Sequence, residues 1–292
     1  MGILAGAALE HFIARERSFL ELSATHLGWK IVRPVLVGLT IGLLAVGVYH
    51  LELVRRGLAT PEVQPSEWGE TARVIFHTLL AGFLVLATVI DLDCYIIPDV
   101  ITIPGILCGV LGATILGDVQ IAHLWVDWSL AIPQLRGPYI PAWYDQYRHL
   151  HGFAWSLAGL IAGGGLTLLV RALATRILGR EGMGFGDVTL MAMIGSFLGW
   201  QPVILTFALA PLTGLAAALI GKLFFNRPFL PYGPCLSAAA LVVLSLWKPL
   251  WAETRLMFSD LVGLAMLAGI GVIAMALLLT LLRLYRSIPT GR

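Results

Sequence analysis

The chain has 292 residues, of which 58% are hydrophobic and only 12% charged, and its mean hydropathy is strongly positive. That composition excludes a soluble globular domain and implies an all-α, polytopic membrane protein whose obligatory partner is the lipid bilayer. A net charge of only +2 argues against a nucleic-acid partner.

Residues 1–30 read as an N-terminal interfacial segment. Met1 to Leu20 starts apolar but is interrupted by Glu10, His11, Arg15, Glu16 and Arg17. It lacks the basic, apolar, small-residue order of a cleaved signal peptide and suits a short amphipathic helix on the membrane surface.

A span needs about 20 apolar residues to cross about 30 Å of hydrocarbon. Eight runs predict about eight transmembrane helices: 31–51, 72–90, 99–117, 152–175, 187–200, 202–222, 232–247 and 261–283. The fifth and seventh are short, which is tolerated where a helix end is enclosed by protein or faces a water-filled cavity. Residues 31–71 hold the first span and a polar connector, 52–71, with Pro61 and Pro65. Residues 72–247 form the central membrane domain, and 248–292 a loop and the last span.

Lys and Arg are retained on the cytoplasmic side. With both termini cytoplasmic, that side holds Arg15, Arg17, Lys30, Arg33, Arg171, Arg176, Arg180, Lys222, Arg227, Arg283, Arg286 and Arg292, against seven basic residues opposite. One cytoplasmic loop departs from this bias: Asp91 to Asp99 carries three aspartates and no cation. The same orientation puts Asp187 on the cytoplasmic side.

The outer stretch 118–151 is rich in Trp, Tyr and Pro and resembles an aromatic belt along the interface. His149 and His151, with His123, are weak candidates for a metal site, since no carboxylate or Cys stands at ligand spacing beside them. Gly159 and Gly163, four apart, predict close helix packing. Cys94, Cys108 and Cys235 form no CxxC pair and predict neither zinc nor a disulfide. No cofactor is called for.

Two short polar stretches remain, Asp91-Leu-Asp-Cys-Tyr-Ile-Ile-Pro-Asp99 and Gly182-Met-Gly-Phe-Gly-Asp187. An ionisable group at a membrane-embedded helix end is costly and is a functional candidate by default. Two carboxyl groups brought close do not readily ionise together, so one holds a proton while the other stays charged. The charged one can activate water and the protonated one can serve as acid, which is peptide hydrolysis without metal. Gly184 and Gly186 offer positive φ and close access for another chain. Pro98 ends one element and restarts the next, with Asp99 capping the new helix. Singly, Asp187 is equally an N-cap and Asp91 an interfacial carboxylate. Asp93 has no assigned role.

Asp91-x6-Pro98-Asp99, then Gly184-x-Gly-Asp187 followed by Leu190-Met-Ala-Met-Ile-Gly195, resembles the type IV prepilin peptidase family of GxGD membrane aspartyl proteases. Leu230-Pro-Tyr-Gly-Pro234 is similar to that family's Pro-aromatic-Gly-Pro segment. The resemblance implies Asp91 and Asp187 as the catalytic pair, with Pro98, Asp99, Gly184 and Gly186 in support. It also implies cleavage of the basic leader of prepilins or pseudopilins at the cytoplasmic face of the inner membrane. The two CxxC pairs that many members associate with N-methylation have no counterpart in 52–71, and Thr189 stands where many have Lys. Competing readings are a GxGD intramembrane protease of the signal peptide peptidase and presenilin group, or a non-catalytic scaffold of a secretion system. The former carries Tyr-Asp and Pro-Ala-Leu motifs that are missing from the corresponding places.

Overall fold

The structure is a computed structural model describing residues 27–126, 140–225 and 231–287. The amphipathic segment expected over Met1–Leu20, and residues 127–139 of the aromatic stretch, lie outside these. Among the described residues the regular structure is entirely helical. In chain order the helices are α1 (Leu27–Tyr49), continued by a π-helical turn (His50–Val54), α2 (Glu67–Cys94), α3 (Asp99–Leu116) and the single turn α4 (Trp143–Gln146). There follow α5 (Arg148–Leu178), α6 (Phe185–Leu198), α7 (Trp200–Phe225), α8 (Gly233–Ser245), α9 (Trp247–Ser259) and α10 (Leu261–Ser287).

All eight expected apolar runs fall on helices. Among the described residues six helices are long and apolar enough to cross a membrane: α1 with its π turn, α2, α3, α5, α7 and α10. The seventh expected span is α8, which turns by 90° into α9, the geometry of a broken span or a re-entrant pair. The fifth is α6, only 14 residues long.

The shortness of α6 is explained by where it lies. From Leu190 to Leu198 every residue is buried, and Leu190, Met191, Met193, Ile194, Phe197 and Leu198 have no exposed surface at all. A helix wrapped in protein does not have to match the thickness of the bilayer. Because lipid tails are as apolar as these side chains, what holds α6 in place is close packing rather than water exclusion. Gly159 and Gly163 on α5 meet the expectation of tight contact: a Cβ at Gly159 would strike the Gly195 carbonyl, and one at Gly163 the Met191 carbonyl. Ser156 Oγ adds a hydrogen bond to the Ser196 carbonyl at 2.6 Å.

Helix direction sorts the ends of the bundle. The C-terminal ends of α2 and α5 and the N-terminal ends of α3, α6 and α8 lie together at one end. The other end is closed by the chain itself, and here the structure departs from expectation. The 52–71 connector is not a plain surface loop, since Leu58 and Val63 are buried, as are Glu52, Thr60 and Glu62. The described part of the 118–151 stretch likewise packs inward: Val119, Ile121 and Ala122 are buried, and Trp125 stacks on Trp200. Side chains from two helices, α7 and α9, bind its backbone. Trp200 Nε1 donates to Leu124 O at 2.7 Å, Gln201 Nε2 to His123 O at 2.8 Å, and Trp247 Nε1 to Ile121 O at 2.9 Å. Buried loop backbone requires such partners, because no water reaches it. Glu52 Oε1 and His77 Nδ1, both buried, pair at 2.8 Å beneath this cap.

Candidate active site

α2 stops because Tyr95 takes the left-handed conformation at φ 55°, its N–H closing on the Asp91 carbonyl at 2.9 Å. Ile96 and Ile97 then run to Pro98, whose extended backbone makes it the residue that precedes α3. Asp99 is therefore the first residue of α3 and not its cap; its Oδ1 lies 3.5 Å from Thr189 Oγ1, a long contact. Pro98 carries the expected role of restarting the chain as a helix, since its carbonyl accepts from Ile101 at 3.0 Å.

The second motif is built from the opposite direction. Gly184 is the cap of α6, with Phe185, Gly186 and Asp187 as its first three residues. Asp187 is thus not the cap; its carboxylate reaches back to the Gly184 N–H, as an acidic side chain at the third helical position does. Neither motif glycine has positive φ, so conformational freedom is not their purpose. Gly186 is needed for approach, since a Cβ there would lie 2.8 Å from both Cβ and O of Ile97. The structure gives no steric reason for glycine at 184.

These two turns bring Asp91 and Asp187 to one cavity of about 290 Å³, walled also by Tyr95, Ile97, Pro231 and Tyr232. Both side chains are largely buried, at 4% and 9% exposure, and they are close enough to interact electrostatically. Asp91 Oδ2 accepts the Gly233 N–H at 3.0 Å, which fixes its orientation. Gly233 has to be glycine, because a Cβ there would run into the Asp91 carboxylate and Ile97 Cδ1. Burial, reinforced by the nearby Asp187 and Cys235 side chains, pushes the Tyr232 phenol up to about 12, so it stays an O–H donor at the cavity wall.

Residues that sequence reasoning left unassigned complete the surroundings. Asp93 turns away from the cavity and forms an ion pair with Arg33 of α1. Arg171 of α5 secures the turn before α6: its Nε donates to Met183 O at 3.0 Å, its guanidinium pairs with Glu181 at 2.9 Å and lies over the Phe185 ring. Gly233 and Tyr232 had a signal in the Pro-Tyr-Gly-Pro segment, but nothing in it says which carboxylate they meet.

The three histidines do not converge as a set. His149 Nδ1 pairs with Thr114 O at 2.9 Å, while His123 and His151 lie with their rings 5.5 Å apart among Trp143 and Tyr144. Among the described residues there is no group of three His, Cys, Asp or Glu placed to hold a metal ion.

Residues 78–219 match the type IV leader peptidase family, and they include both motif aspartates, Pro98, Asp99 and both motif glycines. Similar curated proteins are described as prepilin leader peptidase/N-methyltransferases. The one from Aeromonas hydrophila is 30% identical over 192 residues, covering 62% of this chain and 50% of that protein. The one from Neisseria gonorrhoeae is 25% identical over 173 residues, covering 59% and 49%. The one from Pseudomonas aeruginosa is 37% identical over 86 residues, covering 28% and 29%. The chain thus spans about half the length of the first two of these relatives. No solved structure matches it. Through residues 78–219, which carry both carboxylates, the Pro-Asp turn and the glycine motif, this membrane protein belongs to the type IV leader peptidase family.

Proposed function

We propose that the chain is an aspartyl endopeptidase that removes the basic leader of prepilin- or pseudopilin-type substrates at the cytoplasmic face of the inner membrane, with Asp91 and Asp187 as its catalytic pair. The observation that carries this reading is the convergence of two largely buried carboxyl groups, from distant motifs, on one cavity.

In the reaction, the ionised carboxylate takes a proton from water as its oxygen attacks the scissile carbonyl carbon. The protonated partner donates to the oxygen that becomes negative in the tetrahedral intermediate. Collapse breaks the C–N bond, and a carboxyl proton passes to the leaving amine. Tyr232 offers a further O–H donor at the wall. Exposed Tyr95, Ile96 and Phe185 at the rim suit an extended peptide laid across the cavity.

Orientation rests on charge. The end bearing the cavity also carries Arg33, Arg171, Arg176, Arg180, Lys222, Arg283 and Arg286, which supports a cytoplasmic assignment for it and for the C-terminus. All the cavity walls come from 72–247, which supports that stretch as the functional domain. The proposal is confined to hydrolysis, because the carboxylate pair accounts for no methyl transfer.

The test is processing of a co-expressed prepilin by the full chain and by Asp91→Asn and Asp187→Asn. Cleavage by the unsubstituted chain and its loss in both variants is expected. Retained cleavage in either variant overturns the catalytic assignment, and no cleavage of any leader in a panel of pilin-like substrates overturns the peptidase reading.

A further inference from the structure

A second concave surface lies next to the cavity and opens sideways into the bilayer. Two cavities of about 540 and 310 Å³ run between α1 and α8, the larger of them over α2, and share Leu44 and Leu241. Together they form a groove that follows α1 from Arg33 to Arg55. At about 1.5 Å per residue that is roughly 33 Å, the full thickness of the hydrocarbon layer.

The groove adjoins the carboxylate cavity through neighbouring residues on both walls. On α2, Asp91 lines the cavity while Leu92 and Asp93 line the groove. At the start of α8, Tyr232 lines the cavity and Pro234 the groove, and Gly233 between them binds Asp91. A chain leaving the cavity therefore enters the groove without crossing another helix.

We infer that this groove is the docking site for the substrate's own transmembrane helix, the apolar segment that follows the scissile bond, with the cationic leader lying at the cavity end. The inference rests on the peptidase reading of the neighbouring cavity. Thr40 and Gly47 on α1, and Ser237 and Ala238 on α8, keep the walls low, so that a helix backbone can come close in the absence of a hydrophobic drive. Charge at the cavity end matches such an occupant. Asp93 and Glu181 are each bound by an arginine, whereas Asp91, Asp99 and Asp187 have no Lys or Arg in ion-pair contact among the described residues. The carboxylates at the cavity itself are thus left for a cationic segment to meet.

A lipid fits the groove less well. Its acyl chain would occupy one leaflet and leave half of the groove empty. Arg33, the cation placed to receive a phosphate, is 5% exposed and already bound to Asp93 and the Val89 carbonyl.

The experiment places a photo-crosslinking residue at Leu36 or Ala238 in the groove, or at Leu219, a lipid-facing control on α7 that is 57% exposed. The host is the full Asp187→Asn chain in nanodiscs. The probe is a peptide with a Lys-rich N-terminal segment followed by about 20 Leu and Ala residues. Peptide adducts at Leu36 and Ala238 at least about tenfold above those at Leu219 are expected. In the active chain, Thr40→Trp and Ala238→Trp should raise KM for this peptide by about tenfold more than for a peptide ending before the apolar segment, and Leu219→Trp should change neither. Equal adduct yields at all three positions overturn the inference, as do lipid adducts in place of peptide adducts in the groove. Groove adducts without hydrolysis by the unsubstituted chain would leave docking standing and remove the peptidase reading. Hydrolysis without groove adducts would do the reverse.

Discussion

The Asp91 carboxylate accepts the backbone N–H of Gly233 at 3.0 Å, a bond that ties the end of α2 to the start of α8. Since a Cβ at Gly233 would overlap that carboxylate, Gly233→Ala should displace Asp91 without removing any reacting group. A misplacement of about 1 Å can cost about 10²-fold in rate. We expect a loss of that order in kcat for leader cleavage, with unchanged yield of folded protein; wild-type kinetics would disprove the positioning role.

Gly186→Ala tests the approach of α6 to the Asp91–Asp99 turn. The new Cβ would stand 2.8 Å from Ile97 Cβ and O, and overpacking of this kind costs about 1–3 kcal/mol. Thermal stability and cleavage should both fall. Adding Ile97→Gly removes one of the two clashes but leaves the carbonyl, so recovery should be partial. Full activity in the single variant would show that the approach is not required.

Beneath the outer cap, Glu52→Leu leaves the buried His77 without its carboxylate partner. Orphaning a buried polar group costs about 1–3 kcal/mol, more where a charge is involved. A lower unfolding temperature in nanodiscs is expected. The double variant Glu52→Leu with His77→Phe should recover part of it, because no polar group is then stranded. Equal destabilisation in the single and double variants would argue against coupling.

The cap should also weaken in acid. Burial holds the His123 imidazole below its ordinary value, only partly countered by the Glu62 carbonyl that its Nε2 meets at 3.0 Å. The native state therefore binds fewer protons here than the unfolded chain. The contribution of a neutral His123 is complete above the unfolded value of about 6.5 and is lost progressively as pH falls from there through the lower folded value. Unfolding temperature should drop between pH 7.5 and 5, and His123→Gln should flatten that drop. An identical pH profile in the variant would assign the effect to other groups.

Much of this protein is legible in its sequence. Among the described residues, apolar runs located every helix long enough to cross a membrane, because a segment in lipid must satisfy its own backbone and advertises this by length and composition. Asp91 and Asp187 stood out because carboxylates are scarce there. Local chemistry was read less well: Asp99 and Asp187 look like caps, yet Pro98 and Gly184 hold those positions, since cap placement depends on where the backbone turns. Only the tertiary structure decided what the intervening residues touch. It paired Asp93 with Arg33, gave Gly233 to Asp91, showed Gly186 to be a point of contact with Ile97, and folded the 52–71 connector into a buried cap. Apolar length and composition fix which segments cross the membrane, whereas the bonds that orient a carboxylate join residues far apart in the chain and depend on how the helices pack.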